Sequence, residues 1–169
     1  MLFSLLAFLP LVSLSAFASF IPRQAPKGTI TAPTAETAIA PGSNFTFSYD
    51  PHADYCASTY AIHVFLLDEA ATVLPITPSP TDPVSTGHYF GRFDYANYPS
   101  VPFPTNPPPA QLTMPDFSQN PGGFGIGESA SNVKMNLVVV EEYGDCSASI
   151  GVKFGLAATE IIYNATSTA

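Results

Sequence analysis

The sequence predicts an all-β fold: an antiparallel immunoglobulin- or fibronectin-like sandwich of about seven strands with a long proline-rich internal loop. Apolar or alternating segments recur along the chain, separated by clusters of proline, glycine, asparagine and aspartate, which is typical of strands and turns. After the N-terminal apolar run, helical spacing of apolar residues is always interrupted by proline or glycine. A small barrel is the alternative, and the chain has no tryptophan of the kind that antibody domains bury.

Three segments predict the strands that build most of the core. In NFTFSY, at 44–49, aromatic and polar side chains alternate, which predicts a half-buried strand. Its rings should face the core, and Asn44 should face water. The segments 58–67 and 132–143 are apolar on both faces, which predicts central strands that are covered on both sides.

The C-terminal part predicts a hairpin and one further strand. A turn cluster at 144–147 separates the strand at 132–143 from the alternating residues 149–156, which is the pattern of a β-hairpin. The residues 159–164, TEIIYN, predict a separate last strand. Weaker strand patterns cover 28–32, 86–95 and 110–116.

Residues 93–112, FDYANYPSVPFPTNPPPAQL, predict a loop within one domain instead of a linker between two. The segments on either side supply too few strands to bury a core alone. Prolines favour an extended backbone, and long loops inside compact domains are often functional. Its rings Tyr95, Tyr98 and Phe103 form the candidate binding surface. The alternative is that these rings fold back over the open end of the sandwich, which is the commoner fate of apolar rings.

The N-terminus predicts export. The apolar residues 1–18 end in a small-x-small pattern, which predicts a signal peptide followed by a single secreted domain at 19–169. Asn44 and Asn164 each begin an Asn-x-Thr sequon on the polar side of a strand-like pattern, so we expect N-linked glycans at both. The expected location is extracellular, without a membrane anchor.

Cysteine count and charge narrow the class further. The two cysteines, Cys56 and Cys146, are expected to form a disulfide bond in an exported chain. Closing so long a loop would stabilise the fold by roughly 4–5 kcal/mol in the chain-entropy model. A net charge of −8 without a basic cluster disfavours nucleic acid and anionic membranes as partners.

Motifs for cofactors and metals are weak. The segment Gly122–Gly127, GGFGIG, lacks the Gly-Lys-Ser/Thr ending and the helix of a phosphate-binding loop. His52, Asp54 and Cys56 alternate, as metal ligands on one side of an extended backbone would. The preceding proline and the expected disulfide disfavour that site. We therefore expect neither a cofactor nor a metal ion.

Two acidic doublets, Asp68-Glu69 and Glu141-Glu142, raise the question of glycoside hydrolysis, which needs two facing carboxylates. Neighbours along a strand point to opposite faces, so neither doublet is itself the pair. Solvated strand ends explain both doublets. A cross-strand pair such as Asp68 with Glu141 is the enzyme alternative.

Four short segments resemble fungal small secreted proteins similar to the necrosis-inducing secreted effector family. The residues that carry the likeness are ITAPT, APGSNFTFSY, GHYFGRFD at 87–94 and LTMPDF at 112–117. The resemblance covers most of the exported chain and implies a role in subduing host immune signalling by binding receptor-associated kinases. It implies no catalytic residues.

These observations predict a secreted, non-catalytic binding protein, effector-like, that acts on a host or cell-surface protein such as a component of host immune signalling. A cell-wall module that binds polysaccharide through Tyr95, Tyr98 and Phe103 is the first alternative. An undescribed secreted hydrolase with a cross-strand carboxylate pair is the second.

Overall fold

The computed structural model describes residues 27–54, 57–68, 87–97, 101–117, 131–144 and 152–164. Within these ranges the chain forms mixed and antiparallel sheets without any helix, so the all-β prediction is confirmed. The strands are β1 (Thr29–Ala32), β2 (Ala38–Ile39), β3 (Asn44–Thr46), β4 (Ser48–Asp50), β5 (Thr59–Leu67), β6 (Gly87–Asp94), β7 (Gln111–Thr113), β8 (Ser131–Tyr143) and β9 (Lys153–Asn164).

Several sequence-based predictions lie outside the described residues. These are the signal peptide at 1–18, the disulfide between Cys56 and Cys146, the ring of Tyr98 and the segment Gly122–Gly127. Among the residues that are described, none belongs to a helix long and apolar enough to cross a membrane.

The largest sheet has five strands in the order β2-β9-β8-β5-β6 and is curled like half a barrel. The strands β5 and β8 lie in its interior, as predicted, and they pair antiparallel with each other. The expected cover on both sides is incomplete, because buried and half-buried residues largely alternate along β5. The two-residue strand β2 pairs parallel with β9, so the expectation of a purely antiparallel fold is wrong at this edge. A segment this short has no periodicity by which the sequence could reveal it.

The last strand corrects the prediction for the C-terminus. The predicted break between 149–156 and 159–164 is absent, because β9 runs from Lys153 to Asn164 and pairs with β8 along that length. The joining residues are alanine and threonine, neither of which forces a turn, so the ladder of hydrogen bonds continues. The antiparallel pairing of β8 with β9 confirms the hairpin prediction, while its tip lies outside the described residues.

The aromatic pattern at 44–49 forms two short strands instead of one. The strand β3 pairs with β7 and β4 pairs with β1, so the chain changes partners at Phe47, whose N–H donates to the carbonyl of Ala110 at 3.0 Å. The predicted alternation is confirmed: Phe45, Phe47 and Tyr49 are buried, and Asn44, Thr46 and Ser48 are exposed. The immunoglobulin-like arrangement of strands stays a prediction.

The five-stranded sheet has two faces with different environments. We call the first the core face: Ile62, Val64 and Leu66 of β5 lie there, fully buried against β3, β4 and β7. We call the other the outer face: His63 and Phe65 of β5 lie on it beside residues of β6 and β8. The buried core combines rings with aliphatic side chains and includes Phe45, Phe47, Phe93, Leu112, Met114, Phe117, Met135, Leu137, Val139, Ile161 and Tyr163.

Candidate functional site

Glu141 and Glu142, near the end of β8, point to opposite faces of the sheet, as strand geometry requires. Glu141 lies on the core face with an exposed fraction of 0%, and Glu142 lies half-buried on the outer face. The expectation that this doublet is a solvated strand end is wrong. Each carboxylate has hydrogen-bond partners of its own within the fold.

The Glu141 carboxylate accepts hydrogen bonds from three segments of the chain. Its Oε2 accepts from the backbone N–H of Gly28, just before β1, at 2.8 Å. Its Oε1 accepts from the backbone N–H of His52 at 2.8 Å and from Thr59 Oγ1 at 2.7 Å. Hydrogen bonds to an ionised acceptor are stronger than those between neutral groups. One side chain of β8 therefore joins β1, the residues after β4, and β5.

Two tyrosine hydroxyls surround this carboxylate. Burial raises the pKa of Tyr49, and the charge of Glu141 raises it further. The Tyr49 hydroxyl is buried and has no hydrogen-bond partner within the described part of the chain. Burial, with the charges of Glu141 and Asp50, also raises the pKa of Tyr95 to about 12, and its hydroxyl donates to the carbonyl of Tyr49 at 3.2 Å. Both hydroxyls are therefore protonated at neutral pH.

On the outer face, Glu142 belongs to a second group of charges. Arg92 of β6 donates to it through Nε at 3.3 Å and through Nη2 at 3.1 Å, and His63 Nε2 also contacts it. Arg92 Nη1 donates to Asp94 at 2.6 Å. Burial acts to raise the pKa of Glu142, but the hydrogen bonds from Arg92 and His63 outweigh it and hold that pKa below its usual value. We call His63, Arg92, Asp94 and Glu142 the outer charge cluster.

Aromatic rings lie beside the outer charge cluster. The Nδ1 atom of His63 is 2.9 Å from the hydroxyl of Tyr89, and its ring stacks against Phe65 at an angle of 14°. The centroids of the Phe65 and Tyr89 rings are 4.8 Å apart. Since Tyr89 is 48% exposed, this face presents aromatic area and fixed charges together.

The structure separates the rings of the predicted binding surface. Tyr95 packs against the core, whereas Phe103 is 85% exposed. Tyr98 lies outside the described residues. The two alternatives for the loop thus each apply to one ring: Tyr95 is folded back, and Phe103 faces water.

Hydrogen bonds fix the loop that carries the exposed ring. The Nδ2 atom of Asn106 donates to the carbonyl of Arg92 at 2.6 Å, and the N–H of Asp94 donates to the carbonyl of Asn106 at 2.8 Å. The loop therefore lies along β6. Its end is held by the hydrogen bond from Phe47 to Ala110.

The first predicted glycosylation site is accessible. Asn44 is exposed, as predicted, and its Oδ1 accepts a hydrogen bond from Thr113 Oγ1 at 2.7 Å. Asn164 is the last residue of β9 and is half-buried.

The carboxylate pair of the enzyme alternative is not brought together. Glu141 lies opposite Ile62 in β5, whereas Asp68 follows the last residue of that strand. At the usual rise per residue of a strand, about 20 Å of β5 separates the two positions. Within the described ranges, no group of three or more His, Cys, Asp or Glu side chains is arranged to hold a metal ion.

Sequence analysis missed the residues that organise both carboxylates. Gly28 and Arg92 carry no motif, because their roles depend on contacts across 113 and 50 positions of the chain, respectively. Comparison with protein-family models, with curated proteins and with solved structures finds no match for the chain.

Proposed function

We propose that this protein is a secreted, N-glycosylated, non-catalytic binding protein that acts on a host or cell-surface protein, with Phe103 as the anchor of the contact. The observation that carries the proposal is the 85% exposure of this ring on a loop that is hydrogen-bonded to β6. A large apolar ring gains free energy when a partner removes it from water, and buried aromatic anchors dominate many protein interfaces.

Preorganisation of the loop supports the same function. Pro102 and Pro104 flank the ring and restrict the backbone, and Asn106 ties the segment to β6. A partner therefore meets a segment whose conformational entropy was lost on folding, which favours affinity. Arg92, with 40% of its side chain exposed, would contribute to a polar rim around the apolar anchor.

The class of partner follows from the sequence. An immunoglobulin- or fibronectin-like sandwich, the arrangement that the strand pattern predicts, presents recognition loops at the ends of its sheets. The resemblance to the necrosis-inducing secreted effector family implies partners among receptor-associated proteins of a host. Effector-like binding is therefore our first candidate.

Binding of cell-wall polysaccharide is the second candidate, through a different surface from the predicted one. Because Tyr95 is folded back, its ring does not lie beside Phe103 on one platform. The rings of Tyr89 and Phe65 on the outer face, next to the outer charge cluster, offer a stacking surface with polar groups beside it. A hydrolase that uses Asp68 with Glu141 is not proposed, because those residues are far apart along β5.

The test compares two substitutions of exposed phenylalanines. The glycosylated wild type, Phe103→Ala and Phe154→Ala are immobilised and used to capture host plasma-membrane proteins. Phe154 is 48% exposed and lies on β9, which β8 and β5 separate from the strand β6 that holds the loop, so it is the matched control. A specific partner should bind wild type and Phe154→Ala with equal affinity. Its affinity for Phe103→Ala should be lower by roughly tenfold or more.

Equal capture by Phe103→Ala, or the absence of any specific protein, contradicts the first candidate. Co-sedimentation with chitin and β-glucan tests the second. Retention that is lost in Tyr89→Ala but kept in Phe103→Ala would favour polysaccharide, and no retention by either glycan would remove that idea.

A further inference from the structure

The charge of Glu141 has no counter-ion within the described residues. Its hydrogen-bond donors are the backbone N–H groups of Gly28 and His52 and the hydroxyl of Thr59, all of which are neutral. The ion pairs that the described residues form involve other carboxylates. The three hydrogen bonds stabilise the ionised carboxylate, and an opposite charge in direct contact with it would add a Coulomb attraction that none of these neutral donors supplies. A cation at this position would therefore stabilise the fold.

Gly28 is the place where such a cation would arise. Its nitrogen is 2.8 Å from Glu141 Oε2. An amide nitrogen carries one hydrogen, whereas an α-ammonium group carries three. An ammonium at Gly28 would keep the Glu141 carboxylate as its acceptor and add a positive charge to the contact.

The residue before Gly28 is an exposed lysine, Lys27. We propose that the exported chain is cut between Lys27 and Gly28 by a lysine-directed endopeptidase, and that the new α-ammonium group of Gly28 forms a buried ion pair with Glu141. The proposal is independent of the partner that Phe103 binds.

The reaction is a peptide hydrolysis. Water adds across the Lys27–Gly28 bond, so that Lys27 leaves with a carboxylate and Gly28 gains an amino group, which is protonated at neutral pH. Because Gly28 is buried in the folded chain, the cut takes place before β1 docks or during opening of the chain end. Cleavage removes two of the five basic residues, Arg23 and Lys27, together with the segment that follows the predicted signal peptide.

The test uses the full chain, secreted with its own leader, beside a Lys27→Gln variant. Both purified proteins are treated with a lysine-directed endopeptidase in dilute urea, returned to buffer, and examined by intact mass and thermal unfolding. We expect the wild type to begin at Gly28 after treatment and its Tm to rise by roughly 5 °C. The Tm of Lys27→Gln should be unchanged. A cut at Lys27 that leaves the wild-type Tm unchanged or lower, or the absence of a cut there, would overturn the proposal.

Two further measurements assign the gain to the ion pair. In Glu141→Gln the cut should give no rise in Tm, whereas in Glu142→Gln, its neighbour on the outer face, the rise should persist. If Glu141→Gln does not fold, labelling with an amine-reactive reagent decides the question. The α-amino group of Gly28 should react at least roughly tenfold more slowly in the folded cut protein than in urea. Equal labelling rates would show that the new terminus is not buried and would refute the pairing.

Discussion

Adjacent glutamates on β8 allow one chemical change to be compared in two environments. Glu141→Gln removes a buried carboxylate that accepts hydrogen bonds from Gly28 and His52, whereas Glu142→Gln removes a half-buried one that binds Arg92. Both substitutions keep the size of the side chain and its place in the strand. A difference in their effects therefore reports the environment of each carboxylate.

The structure gives the size of each loss. In Glu141→Gln the amide oxygen can still accept from His52, but the amide NH2 group then faces the N–H of Gly28, so two donors meet. A buried donor without a partner costs about 1–3 kcal/mol, and two such groups imply a loss of roughly 2–6 kcal/mol. The ion pair of Glu142 with Arg92 involves a side chain of which 40% is exposed, and pairs of that kind contribute about 0–1 kcal/mol.

Urea denaturation followed by far-UV circular dichroism at pH 7 measures both free energies of unfolding. The chain has no tryptophan, so circular dichroism is preferred to fluorescence. We expect the free energy of unfolding of Glu141→Gln to fall by several times as much as that of Glu142→Gln, with similar m-values. Equal losses for the two variants, or a smaller loss for Glu141→Gln, would refute the role of Glu141 as the residue that joins β1 and β5 to β8.

Three further predictions concern the residues around these carboxylates. Gly28→Ala places a methyl group 2.4 Å from the carbonyl oxygen of Asp50 and should lower the free energy of unfolding, measured by urea titration, by about 1–3 kcal/mol. Gly144→Ala is the control: its methyl group would have no atom within 4 Å, so the free energy of unfolding should change by less than about 0.5 kcal/mol. Tyr95→Phe removes the hydrogen bond to the Tyr49 carbonyl and should cost about 0.5–1.5 kcal/mol by the same assay; no change would mean that the hydroxyl is not held there. Arg92 lowers the folded-state pKa of Glu142, so the contribution of this carboxylate is present above its ordinary pKa of 4.5 and is lost as the pH falls through the lowered folded-state pKa. The stability of Glu142→Gln, measured by urea titration, should therefore approach that of wild type as the pH falls, and a difference independent of pH would contradict this.

The strands that the sequence predicts best are β5 and β8, in the interior of the five-stranded sheet. Their apolar residues fall at both alternating positions, which is visible without any knowledge of the partner strands, although only the core face is fully buried and the outer face of β5 is half-buried. The change of partners at Phe47 and the continuity of β9 are set by hydrogen bonds to distant segments, so local patterns do not contain them. The parallel pairing of β2 with β9 also depends on a segment that is distant in sequence.

The candidate site is less predictable for the same reason. That Glu141 and Glu142 face opposite sides follows from strand geometry alone. Which of them is buried depends on where Gly28 and Thr59 lie, and those positions are far away in sequence. The rings of the loop show a similar limit: composition identifies Tyr95 and Phe103 as candidates, but only the position of the loop along β6 turns one inward and the other outward.

The arrangement separates the groups that hold the fold together from those available to a partner. Glu141 and its donors lie beneath the sheet, where any substitution disturbs buried hydrogen bonds, whereas Phe103 and Tyr89 are exposed and make few contacts that the core requires. Exposed substitutions away from such networks usually change stability by less than about 0.5 kcal/mol. The surface proposed for recognition can therefore change in rings and charges while the core stays unchanged. If the free energy of unfolding of Phe103→Ala equals that of wild type, a loss of binding in this variant reports recognition and not damage to the fold.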